Sequence, residues 1–191
     1  MIHRDLKPEN ILCLYNRNND PLPVEIRVTD FGFCKKYDES NPENLYLNTP
    51  FYTAPEVLNH QRFDHKADVW SLGVLTYLLV TGYPCFVDPD APNPSKDEVF
   101  AAIRNTEPNM DRETLGRVSP ELKSFITSCL HKDPAQRASV ADLLQHEWIT
   151  EYAWVRLDDH AKKTTIGGHL QKFLKFSKFQ SGVCSLISNM L

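Results

Sequence analysis

His3-Arg4-Asp5-Leu6-Lys7-Pro8-Glu9-Asn10 opens the chain and decides how the rest is read. It puts an acid, a cation and an amide within six residues, around a proline that bends the backbone between them. Taken singly these residues say little, since Asp5 would pass for a surface acid and Asn10 for a turn former. Two further groups follow in order, Asp30-Phe31-Gly32 and Ala54-Pro55-Glu56. Each of those tripeptides recurs by chance, but three groups in one order demand a common explanation.

The intervening segments have their own pattern. Residues 11–14 and 24–29 read as short strands, and the turn-forming run Asn16-Arg17-Asn18-Asn19-Asp20-Pro21 makes them a hairpin with a long loop. From Asp68 to Val80 the chain is apolar nearly all the way round, the mark of a buried central helix that Gly82-Tyr83-Pro84 ends. Ser95 with Glu98 forms a capping box, Ser119-Pro120 an N-cap with proline at the first helical position, and Ser139 opens a third helix. The expected fold class is mainly α with one small β-hairpin.

The opening octapeptide matches the catalytic-loop signature of protein kinases at every specified position, and the chain resembles the C-terminal lobe of a serine/threonine kinase. The resemblance implies that Asp5 orients the substrate hydroxyl and takes its proton, and that Lys7 puts positive charge on the transferring phosphate. A lysine there is more similar to serine/threonine than to tyrosine kinases. Asn10 and Asp30 would be hard oxygen ligands for the Mg²⁺ that accompanies ATP, with Gly32 freeing the backbone after Phe31. His3 and Arg4 would be structural, Arg4 normally gripping a phosphate in the activation segment. Asp38, Glu39 and Glu43 lie in that segment, and an acid is expected to replace the phosphate. Thr49 would bridge Asp5 and Lys7. Glu9 would favour a basic side chain on the protein substrate. Asp68 would hold the catalytic-loop backbone, and Arg137 would form a buried ion pair with Glu56. Leu75 to Phe86 resembles the calcium/calmodulin-dependent group.

The boundaries implied are a lobe over 1–150 and a regulatory, junction-like tail over 151–191. In the tail, Leu170, Phe173, Leu174, Phe176, Phe179, Val183, Leu186 and Ile187 recur at helical spacing among Lys172, Lys175 and Lys178. Phe173 and Leu186 fit positions 1 and 14 of a target for calmodulin or a calmodulin-like regulator. A terminal helix packed on the lobe explains the periodicity equally well. From His160 onward there are five lysines and no acid, although the whole chain carries −4. Residues 171–179 resemble the autoinhibitory junction of calcium-dependent protein kinases, but no EF-hand loop pattern occurs.

Nothing in the acidic body suggests a nucleic-acid surface, and the 191 residues show no transmembrane run and no signal-peptide core. The five cysteines are odd in number and form no CxxC pair, which suits reduced thiols in a cytoplasmic protein. The seven glycines form no GxGxxG, and no β3-type lysine is present. The expectation is therefore a truncated kinase, N-lobe absent, inactive by itself. The alternative is a non-catalytic kinase-derived module that engages substrate or a calmodulin-like regulator.

Overall fold

A computed structural model of the chain describes residues 1–15, 23–36, 38, 50–87, 93–111, 113–116 and 118–152. The hairpin forms where the alternation placed it. Strand β1 (Ile11–Tyr15) pairs antiparallel with β2 (Pro23–Val28), Ile11 facing Val28 and Cys13 facing Ile26, with an irregularity between Leu14 and Tyr15. Pro23 begins β2, the strand position where a missing N–H does least harm. An isolated bridge joins Ile2 to Lys35, so the start of the chain is stitched to the segment just beyond β2.

The rest is helical. Pro55 occupies the first turn of the short helix α1 (Pro55–Leu58), every residue of which is buried. Helix α2 (Lys66–Thr81) is the axis of the molecule and stops at Gly82, whose φ of 77° gives the left-handed cap that glycine adopts without steric cost. Helix α3 (Lys96–Asn105) starts in the expected capping box, Ser95 Oγ accepting from Glu98 N at 3.3 Å while Ser95 N donates to Glu98 Oε2 at 2.7 Å. After α4 (Glu113–Gly116) comes α5 (Pro120–Cys129), where Ser119 Oγ accepts from Leu122 N. Helix α6 (Val140–Leu144) has a second capping box, with Asp142 at the third position where the usual pattern has glutamate or glutamine. Helix α7 (Glu147–Tyr152) follows at once. Helices α1, α4 and α7 span four to six residues each, too few for a 3.6-residue period to show in sequence.

The core wraps α2. Trp70, Tyr77 and Leu78 pack with Ile103, Leu115, Ile126 and Leu130, while Val69 turns to the other side against Phe125, Cys129 and Leu143. Burial pushes the Cys129 thiol up to about 12, against the opposing pull of Arg137, so it stays a neutral packing group. The expectation that α2 is buried all round needs one correction. Leu72 and Leu79, two turns apart, are each 39% exposed, because no described element covers that stripe.

Helices α2 and α5 touch through Gly73. A Cβ there would lie 2.6 Å from Cys129 Cβ and 2.9 Å from Leu130 Cδ2, closer than carbon atoms can approach. Gly73→Ala, although favoured by helix propensity, is expected to destabilise the chain by about 1–3 kcal/mol through overpacking. Urea denaturation checks this, and an unchanged or raised midpoint would show that α5 moves aside freely.

Candidate active site

Proline begins the site. Pro8 opens a 3-10 turn over Pro8–Asn10, its ring pre-setting φ, and Asn10 N closes the turn on Lys7 O at 3.0 Å. That turn brings Asn10 back over Asp5. Its Nδ2 donates to Asp5 O at 2.8 Å and to Asp5 Oδ2 at 3.1 Å. Lys7 Nζ reaches the same Oδ2 at 2.6 Å. One carboxylate oxygen thus gathers the cation and the amide, and both Asp5 and Asn10 are buried.

The loop is held from below by α2. Asp68, in the first turn, accepts from His3 N at 2.7 Å and Arg4 N at 2.9 Å, a link across more than sixty residues. Burial raises the Asp68 carboxyl above its ordinary range, and the two N–H bonds pull it back. Arg4 sits at φ 70°, a left-handed conformation that costs a non-glycine residue of order 1–3 kcal/mol and persists because its surroundings over-determine it. Its Nε donates to the Phe33 carbonyl.

The second motif is tied to the first through residue 29. Thr29 N and Thr29 Oγ1 both donate to the Asn10 carbonyl, at 2.8 and 3.2 Å. The Thr29 carbonyl takes His3 Nε2 at 2.9 Å, and the His3 ring meets Phe31 edge-on at 5.3 Å. Asp30 is left-handed too, at φ 59°, and caps a 3-10 turn over Phe31–Phe33 by accepting from Gly32 N. Phe31 remains 57% exposed. The sequence offered no signal for Thr29, whose role as a clamp exists only once the strand end lies beside the loop.

The donor set suits Mg²⁺. With its NH₂ spent on Asp5, Asn10 keeps its amide oxygen as an acceptor, and Asp30 carries a second hard oxygen on an exposed turn that follows Thr29. Among the described residues no three His, Cys, Asp or Glu side chains converge. Two protein oxygens with the balance from phosphate and water is how Mg²⁺ is commonly held.

Farther off, Arg137 meets Glu56 in a bidentate pair, NH1 to Oε1 at 2.7 Å and NH2 to Oε2 at 2.9 Å, with both side chains almost wholly buried. The guanidinium also donates to the carbonyls of His131, Lys66 and Lys132 and lies 5.1 Å from the Trp70 ring. Trp70 stacks on Phe86, with the Lys132 ammonium 5.0 Å from the Phe86 ring. Lys132 in this arrangement was not singled out in sequence. Burial lowers its pKa, and its Nζ donates to Ile103 O at 2.6 Å. Glu9 is exposed beside the loop. Thr49 and the tail positions Phe173 and Leu186 lie outside the described residues, as do Glu39 and Glu43.

Residues 1–149 match the family model described as protein kinase domain. The chain belongs to the protein kinase family. Among similar proteins, human ribosomal protein S6 kinase alpha-3 is 38% identical over 176 residues, covering 90% of this chain and 22% of that protein. Calcium/calmodulin-dependent protein kinase type 1 of Caenorhabditis elegans is 38% identical over 174 residues, 91% of this chain and 46% of the relative. Rat ribosomal protein S6 kinase alpha-1 is 39% identical over 155 residues, 79% of this chain and 20% of its own length. This protein kinase chain therefore spans less than half the length of the relatives it matches. No described helix is long and apolar enough to cross a membrane.

Proposed function

We propose that the chain is the C-terminal lobe of a serine/threonine protein kinase, over residues 1–150, which moves the γ-phosphate of ATP to Ser or Thr hydroxyls near basic residues of protein substrates. The observation that carries this reading is the gathering of Lys7 and Asn10 on one oxygen of Asp5, with Asp30 tethered alongside through Thr29. In the transfer, the substrate oxygen bonds to the γ-phosphorus, the bond to the β-phosphate oxygen breaks and ADP leaves. Asp5 orients the hydroxyl and receives its proton. Lys7 sets positive charge against the transferring phosphoryl group. Asn10 and Asp30 would hold Mg²⁺, which when bound supplies charge neutralisation at the phosphate oxygens. Glu9 takes the basic side chain, and Thr49 bridges Asp5 and Lys7.

Residues 151–191 are a regulatory tail in the same reading, with Phe173 and Leu186 as anchors for calmodulin or a calmodulin-like partner, and the protein acts in the cytoplasm. The similarity to a calcium/calmodulin-dependent kinase supports this. A glycine-rich phosphate loop and its partner lysine are not encoded within these 191 residues, so the chain by itself should not turn over ATP. The test is a graft. Joined behind the nucleotide lobe of the C. elegans relative, the chain should transfer radiolabelled phosphate from Mg-ATP to a basic serine peptide. A folded graft with no transfer would sink the proposal, and robust turnover by the chain alone would sink its inactivity.

A further inference from the structure

Helix α1 is a single turn, and a turn so short keeps its shape only through what is fixed around it. It ends in a Schellman motif, Gln61 N donating to Glu56 O at 2.9 Å and His60 N to Val57 O at 3.1 Å. That motif needs a left-handed residue, usually glycine, and here His60 fills the place at φ 54°. A residue with a Cβ stays in that conformation only where neighbouring contacts hold it there. Arg104, near the end of α3, supplies such contacts. Its Nη2 donates at 2.7 Å to Leu58 O, the last carbonyl of α1, and its Nε donates to Asn59 Oδ1 at 2.8 Å. The guanidinium lies 5.9 Å from the centre of the Phe100 ring, which belongs to the core. A supported fork thus holds the two residues just before the strained one. On another side α1 borders the catalytic loop, since Val57, with Thr53 and Ala54, lines one small cavity together with Asp5 and Leu6.

We propose that Arg104 is a positioning residue for phosphate transfer. By closing the strained end of α1 it sets how far that turn stands from the catalytic loop, and so the width of the gap beside Asp5. The Glu56–Arg137 pair fixes α1 at one side chain. A second hold at the end of the turn is what keeps it from pivoting about that point. Arg104 is not among the residues that line the cavity, so its effect passes through α1. The inference rests on the kinase reading for what the gap receives.

Two measurements on the 191-residue chain test this. Amide exchange followed by NMR reports the end of α1, and titration with a fluorescent serine peptide carrying one arginine reports the gap. Arg104→Met keeps a side chain over Phe100 and removes both donors. It should speed exchange at His60 and Gln61 about tenfold, the weight of a hydrogen bond from a charged donor. Exchange at Trp70 and Tyr77 in α2 should match the parent. The peptide should bind about fivefold more weakly, within the range of couplings passed through packed elements. Arg104→Lys, which can still donate to Leu58 O, should recover part of both losses. If His60 and Gln61 exchange as in the parent, or speed up no more than α2 does, Arg104 does not hold this end and the proposal is overturned. A lysine variant no better than the methionine one would overturn it too. Faster exchange with parental peptide affinity would leave Arg104 a purely structural residue, overturning the positioning role while the kinase reading stands. A parent chain that binds no peptide saturably would sink the substrate reading and the positioning role with it.

Discussion

Arg137→Met lowers the unfolding free energy of the chain by about 3–5 kcal/mol, the usual cost of stripping one partner from a buried ion pair. Methionine fills much of the arginine's volume, so the loss reports charge and hydrogen bonding more than a cavity. A guanidinium has five N–H donors, and here each finds an acceptor in Glu56, Lys66, His131 or Lys132. Removing it leaves the Glu56 carboxylate buried without a counter-charge and takes one donor from each of three carbonyls. Domains of this size have roughly 5–15 kcal/mol in hand, so the variant should lie near the edge of folding at 37 °C. Urea denaturation at neutral pH measures the loss. Glu56→Gln combined with Arg137→Met should be less destabilised than Arg137→Met alone, because the orphaned charge is gone. If the single variant melts with the parent, the pair contributes nothing and its burial is incidental.

Asp5→Asn, made in the grafted kinase, lowers phosphate transfer by about a hundred- to ten-thousandfold, the range that a positioned base contributes. Asparagine keeps the size of the side chain and an oxygen for Lys7, but it cannot take the substrate proton. It also weakens the tie to Lys7, since the 2.6 Å contact to a charged oxygen becomes a contact to a neutral one. The decrease should fall on kcat with the KM for ATP nearly unchanged, because Asp5 is assigned to the hydroxyl and not to the nucleotide. Initial rates over a range of ATP concentrations decide this. A drop of less than tenfold would remove Asp5 from proton transfer, and a rise in the KM for ATP with kcat retained would move it to the nucleotide.

The catalytic loop was legible well in advance. Asp5, Lys7 and Asn10 lie within six residues, and a proline between them leaves the backbone few ways to arrange them. Their juxtaposition is local, and local geometry is written in local sequence. The capping residues Ser95, Ser119 and Ser139 were legible for the same reason, since a cap satisfies N–H groups two or three residues away. The short helices α1, α4 and α7 were not, because they are held by packing, with too few residues to show a period.

What the sequence by itself determined, then, is the identity of the reacting groups, the hairpin between two of the motifs and an apolar helix that had to be the core. What only the tertiary structure decided is a set of contacts between distant residues that neither the spacing nor the resemblance implied. Thr29 clamps Asn10, and Lys132 joins the Trp70–Phe86 stack beside Arg137. No period or spacing encodes such contacts. They arise because burying the faces of α2 brings remote segments together, and each polar group carried along must then find a partner or remain without one.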